Sequence, residues 1–280
     1  MTFGFGLETE IKMVDLLDDN IKLFDRHSSK GNQLKWEKDG IWYKADYTGY
    51  EGLAEYIISQ LLRMSTLKKE EFVIYEPEQI KYRRRIFNGA KSEDFLKEDW
   101  QIVTLQRLYK TKYNRNFMED VWHIPEITDR LKFVVEQVEQ LTGLKDFGIY
   151  LSKLLTIDAF FLNEDRHMHN IAVLMNGEGK IKLCPFFDQG AGLMSDTMVD
   201  YPLNDDTIAM IHEVKAKTIC ASFEDALDAA EKLYGYNLKF SFGKNDVREL
   251  INDVGIYSNE EKTRVETIIF QQMRRYQYLF

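Results

Sequence analysis

Three oxygen-bearing side chains stand close together in one stretch, residues 162–188. Asn170 follows Asp165 by five positions, and Asp188 ends the stretch. Between them, 171–175 and 180–184 are apolar-rich runs flanking Asn176-Gly177-Glu178-Gly179, a turn signature, so the spacing predicts a hairpin. Closing that hairpin returns Asp188 to the side of Asn170, with Asp165 one short loop away. This set suits phosphoryl transfer. One carboxylate takes the proton of an acceptor hydroxyl, while an amide and a second carboxylate hold Mg²⁺ against phosphates through hard oxygen ligands. An Asp-x-x-x-x-Asn string alone is equally at home in a surface loop, where both residues are common. The hairpin, the nearby His167 and the second Asp at the correct end set this one apart.

Other elements must position these groups. Residues 21–24, 34–38 and 41–46 read as short strands, the last two joined by a tight turn at Asp39-Gly40. Residues 50–64 have helical periodicity, with Leu53, Ile57, Leu61 and Met64 on one face. Strands are expected at 72–75 and 79–86, the second carrying the basic run 81–85. After Asn88-Gly89 the composition changes, and 94–109, 124–141 and 144–161 read as helices. The third delivers the chain into Asn163–Asn170. Beyond Asp188 an irregular stretch runs to Asp206, and helices at 207–222, 223–234, 246–254 and 260–278 close the chain. The expectation is an α+β, bilobal arrangement: a β-rich lobe over 1–88, a helical lobe over 89–280, and a cleft between them suited to a nucleotide.

Composition narrows the function classes. With 280 residues, 44% hydrophobic and 13% aromatic, the chain has ample material for a core. A net charge of −9 and a pI near 5.2 argue against nucleic-acid binding. No apolar run approaches membrane-spanning length and the N-terminus has no signal-peptide pattern, so a cytoplasmic protein is expected, with secretion as an effector left open. Cys184 and Cys220 read as buried thiols. Gly4-Phe5-Gly6 has no strand before it and is discounted as a phosphate loop.

Five motifs, in order, resemble those of HipA-like kinases: Ser-x-x-Gly-x-Gln-x-Lys at 28–35, Trp-Tyr-Lys-Ala-Asp at 42–46, Glu-Gly-Leu-Ala-Glu at 51–55, Asn-x-Asp-Arg-His-x-x-Asn at 163–170 and Pro-Phe-Phe-Asp at 185–188. The resemblance implies a protein-kinase-like bilobal fold that transfers the γ-phosphoryl group of ATP to protein Ser or Thr, with Mg²⁺. It implies Asp165 as general base and Asn170 and Asp188 as metal ligands. Lys44 would meet the α- and β-phosphates, and Glu55 would orient Lys44. Glu51, one turn away, could exchange roles with Glu55. Ser28, Ser29, Gly31 and Gln33 would form the loop over the phosphates, with backbone amides around Gly31 doing the cradling. Asn88 falls in the junction 85–90, where adenine would be held. His167 is expected to brace the catalytic loop rather than react, and Asn163 and Arg166 to brace it or to neutralise charge. Asp188-Gln189-Gly190 stands where protein kinases have Asp-Phe-Gly, so a Phe-dependent switch is not carried over.

The resemblance also makes Ser28, or the adjacent Ser29, an autophosphorylation site. Phosphate there would repel the nucleotide and lower activity; mass spectrometry after incubation with ATP decides, and two unmodified serines would refute it. Longer family members carry an N-terminal subdomain for which the motif at residue 28 leaves no room. Its role would be absent or supplied by a partner, and an antitoxin partner is implied by family alone. Asp-Arg-His-x-x-Asn also occurs in phosphoinositide kinases, small-molecule phosphotransferases share the five-residue Asp–Asn spacing, and a nucleotide-binding pseudokinase scaffold is a further alternative. Between Lys182 and Lys215 there is no Lys or Arg, whereas Asp196, Asp200, Asp205 and Asp206 fall there. Such a segment disfavours an anionic lipid headgroup and favours a polypeptide acceptor.

Overall fold

A computed structural model describes residues 13–21, 33–97 and 99–280. Its elements in chain order are β1 (Met13–Leu16), β2 (Lys35–Lys38), β3 (Ile41–Ala45), α1 (Glu51–Leu62), β4 (Glu76–Tyr82), β5 (Arg85–Glu93), β6 (Trp100–Thr104), α2 (Leu105–Tyr113), α3 (Phe117–Trp122), α4 (Ile127–Thr142), α5 (Phe147–Phe161), β7 (Ala172–Asn176), β8 (Ile181–Leu183), α6 (Thr207–Ile211), α7 (Phe223–Tyr234), α8 (Lys244–Asn252) and α9 (Asn259–Arg275). The expected α+β, two-lobed organisation is what the chain adopts.

The first lobe is a five-stranded sheet in the order β1-β4-β5-β3-β2, with β1 parallel to β4 and the other pairs antiparallel. The tight turn at Asp39-Gly40 forms as expected, with φ of 55° and 77°. Trp36, Tyr43, Ile80 and Tyr82 fill a small core on one face. Helix α1 covers the other face and is buried nearly all round, because the helical lobe packs on its far side. Gly52 allows the helix to lie directly on the sheet, since a Cβ there would stand 2.6 Å from Gly89 Cα; a Cβ on Gly89 would instead strike the adjacent strand, 2.1 Å from the Lys44 carbonyl oxygen.

The second lobe is organised on α5, whose buried residues extend around the whole helix and which packs against α4, α7 and α9. Its C-cap, Leu162, is left-handed (φ 55°), which turns the chain sharply into the 163–170 segment. The predicted hairpin forms as β7 and β8, with Asn176 Oδ1 accepting the amides of Glu178 and Lys180.

Several expectations need correction. The lobe boundary does not fall at 88/89: Asn88 and Gly89 lie inside β5, paired with Gln79 and Glu78, and the chain leaves the sheet only after Glu93. Residues 94–109 do not form one helix. The β-branched run Ile102-Val103-Thr104 pairs with β7 as a third strand, and α2 begins only after Thr104, whose side chain caps it. Residues 72–75 belong to no strand; they run beside the 186 region, with Val73 N–H donating to the Phe186 carbonyl. The helix expected over 207–222 stops at Ile211, and the following stretch packs on the 163–170 segment, where Thr218 Oγ1 donates to the Arg166 carbonyl. Both cysteines are buried and free, as expected. Among the described residues no helix is long and apolar enough to cross a membrane.

Candidate active site

The site is built around Lys44, which β3 directs toward α1. Its Nζ donates to Glu55 Oε1 at 2.6 Å and to Asp188 Oδ1 at 2.7 Å. It also lies 3.5 Å from the Tyr75 hydroxyl. Burial alone would lower the Lys44 pKa, but the Asp188 and Glu55 carboxylates outweigh it and hold the ammonium well above its usual range. Burial would raise Asp188, yet Lys35, Lys44 and Arg166 hold its carboxyl well below the usual range. Asp188 is therefore an anion under all ordinary conditions. It has a positive φ of 61°, an uncommon conformation for a non-glycine residue that turns the chain sharply after Phe187.

The Glu51 and Glu55 alternatives separate cleanly. Glu55 is buried and uses one oxygen for Lys44 and the other for the Gln189 N–H, at 2.9 Å. Glu51 instead accepts the backbone N–H groups of Tyr47, Thr48 and Gly49, fixing the entry to α1.

Asp165 and Asn170 come together within the 163–170 segment. Asn170 Nδ2 donates to the Asp165 carbonyl at 2.8 Å and to Asp165 Oδ2 at 3.2 Å. His167 Nε2 lies 3.7 Å from Asp165 Oδ1, and its Nδ1 accepts the His169 N–H. Arg166 is the brace. Its Nε meets both Asp158 oxygens at 3.1–3.2 Å, its Nη1 donates to the Asn170 and Phe187 carbonyls, and its Nη2 donates to Gln189 Oε1. Asn163 Nδ2 donates to the same Gln189 oxygen at 3.0 Å. Thus the segments bearing Asp165, Asn170 and Asp188 are pinned to one buried guanidinium. Burial outweighs Arg166 and lifts the Asp158 carboxyl to about 6.

Ser28, Ser29 and Gly31 are outside the described residues; Gln33 is half-buried just ahead of β2. Asn88 does not join Lys44: its Nδ2 donates to the Ile256 carbonyl at 2.7 Å, tying β5 to the helical lobe. The chain crosses between lobes after Glu93, where Phe95 packs against Phe187 with ring centroids 5.8 Å apart. Of the four acids beyond Asp188, Asp196 is buried and accepts the Val199 N–H, whereas Asp200, Asp205 and Asp206 are exposed, Asp206 also capping α6.

Sequence reasoning missed three participants. Tyr75 accepts the Asp188 N–H at 3.4 Å and places its ring 5.1 Å from Lys44 Nζ. Lys35 lies directly across the β2–β3 ladder from Lys44 and contributes to the low pKa of Asp188. Its place at the end of the 28–35 motif, opposite the Lys44 strand, was the available signal. Gln189 was noted only as a departure from Asp-Phe-Gly. Among the described residues, no three His, Cys, Asp or Glu side chains converge as a metal site. Asn170 and Asp188 nevertheless offer the one amide and one ionised carboxylate that suit Mg²⁺, which takes few protein ligands and completes its shell with phosphate oxygens and water.

Neither models of known protein families nor curated proteins give any match to the chain. Solved structures do. The chain is similar to the Helicobacter pylori proinflammatory kinase CtkA, with a TM-score of 0.63 and 14% identity over 94% of this chain and 95% of that one. It therefore has the fold of that kinase. The Shewanella oneidensis HipA, solved with HipB and operator DNA, aligns at a TM-score of 0.37 and 15% identity, and the chain spans 57% of its length.

Proposed function

We propose that this chain is an ATP- and Mg²⁺-dependent protein serine/threonine kinase of HipA-like type. The observation that carries this reading is the position of Lys44 between Glu55 and Asp188, with Asp165 and Asn170 held by the same brace that holds the Asp188 segment. Each residue then has a task in phosphoryl transfer. Lys44, oriented by Glu55, receives the α- and β-phosphates, and Lys35 adds positive charge beside it. Asp188 and Asn170 would hold Mg²⁺, which neutralises charge developing on the transferring phosphoryl group. Asp165 orients the acceptor hydroxyl and takes its proton, with His167 and Asn170 fixing its carboxylate. The adenine is assigned to the connection at 94–97 rather than to Asn88, with Ala90, Phe95, Leu174 and Phe187 as apolar walls. Ser28 or Ser29 is assigned the autophosphorylation already described.

The test uses labelled ATP with Mg²⁺ on wild type and Asp165→Ala. Loss of the general base costs about 10²–10⁴ in rate. A wild type that transfers no phosphate to itself or to any lysate protein would remove the kinase reading.

A further inference from the structure

We propose that Gln189 is a positioning residue that couples α1 to the catalytic loop through polar contacts, where an Asp-Phe-Gly kinase has an aromatic ring. The proposal rests on the kinase reading above for its catalytic consequence, though not for its structural one.

Gln189 is 2% exposed and stands between two networks. On its backbone side, the N–H donates to Glu55, the residue that also holds Lys44. On its side-chain side, Oε1 accepts from Asn163 Nδ2 and from Arg166 Nη2 at 3.0 and 2.9 Å. The orientation of the amide is fixed by chemistry, since a guanidinium can only donate and so the oxygen must face it. The remaining group, Nε2, is buried without a hydrogen-bond partner among the described residues. An orphaned donor at a buried position is costly. A glutamine held there for its oxygen alone explains the arrangement: two buried donors need one acceptor, and Gln189 supplies it. A phenylalanine at this position would leave Asn163 and Arg166 each short of a partner.

The coupling therefore has two separable halves. Any side chain at 189 retains the N–H bond to Glu55, so the Lys44–Glu55 pair should survive substitution. Only the catalytic-loop half depends on the amide oxygen. Loss of that oxygen leaves the Asn163 amide, whose Oδ1 accepts the Asp165 N–H at 3.4 Å, only its longer 3.5 Å bond to the Asp188 carbonyl, and releases one arm of Arg166, whose other arm holds Asn170. Asp165 then drifts relative to the nucleotide while nucleotide binding is retained.

The test compares Gln189→Met, which keeps volume and removes the acceptor, with Gln189→Glu, which keeps an acceptor and replaces the unpartnered donor by a second carboxyl oxygen, its added charge facing Arg166. For Q189M, kcat falls about 10- to 100-fold with the KM for ATP nearly unchanged, the scale expected when a reacting group is misplaced by about 1 Å. Q189E recovers most of that loss. In both variants hydrogen–deuterium exchange over α1 matches wild type, and only in Q189M does exchange over 163–170 rise. A Q189M enzyme with wild-type kcat and exchange overturns the proposal, as does a Q189E enzyme as impaired as Q189M, or loosening of α1 in either. If Q189M does not fold, Q189E decides: wild-type exchange over 163–170 supports the proposal and raised exchange there refutes it. An inactive wild type would remove the kinase reading alone, since the exchange measurements test the coupling without activity.

Discussion

Replacing Arg166 tests the brace on which the site depends. In Arg166→Met the Asp158 carboxylate stays buried without its partner, which costs about 3–5 kcal/mol. The carbonyls of Asn170 and Phe187 and the oxygen of Gln189 also lose a donor, at about 1 kcal/mol each. The sum, about 6–8 kcal/mol, is comparable with the whole stability of a typical domain. Removing the stranded charge as well should recover much of it, so Asp158→Leu/Arg166→Met should be about 3 kcal/mol more stable than R166M alone. The pH dependence has a definite sign. Asp158 is raised to about 6 in the folded wild type, so its contribution to stability is full below the unfolded carboxyl pKa and lost as pH rises through 6. Without Arg166 the carboxyl rises further and the loss continues to higher pH. The R166M deficit should therefore widen between pH 5 and pH 8. Urea denaturation of the two variants and wild type at both pH values measures this. An R166M protein within about 1 kcal/mol of wild type, a double variant no more stable than the single, or a deficit that narrows with pH would refute the reasoning.

Three further outcomes follow from the site. Asp188→Ala should weaken Mg²⁺-dependent nucleotide binding more than Asp165→Ala does, because Asp188 alone of the two contacts Lys44; equal effects in calorimetry would overturn that division of roles. Glu55→Gln should lower kcat/KM for ATP at least about tenfold, the scale of one lost charge-assisted hydrogen bond. Glu51→Gln should mainly lower the melting temperature, so kinetics in which Glu51 is the more damaging site would contradict the geometry. Burial and then Glu51 raise Asp46 well above its usual pKa, so its contribution to stability is full at acid pH and lost as pH rises. Asp46→Asn, which stays neutral, should be more stable than wild type above neutrality, with the advantage vanishing near pH 4; unfolding curves across that range would show otherwise if the carboxyl were ordinary.

Local chemistry alone determined much of this protein. The apolar-rich runs around Asn176-Gly177-Glu178-Gly179 dictate the β7–β8 hairpin. The five-residue spacing brings Asn170 onto Asp165, and the apolar positions of 50–64 place a helix after the Lys44 strand. All of these depend on neighbours a few residues apart. Tertiary structure decided what depends on distant partners. Glu51 and Glu55 sit one turn apart on the same helix, and only the approach of Lys44 and of the Gln189 amide, 134 positions along the chain, gives Glu55 the central place. The strand β6 lay hidden in a helical pattern because its pairing partner, β7, comes about seventy residues later. Tyr75 had no local mark and Lys35 only its place at the end of the 28–35 motif, since their roles arise from a segment bridged to Phe186 and from cross-strand register. Gln189 is the clearest case. In sequence it is one altered letter in a familiar triplet, and only the convergence of Glu55, Asn163 and Arg166 on it shows what a buried amide oxygen can do there.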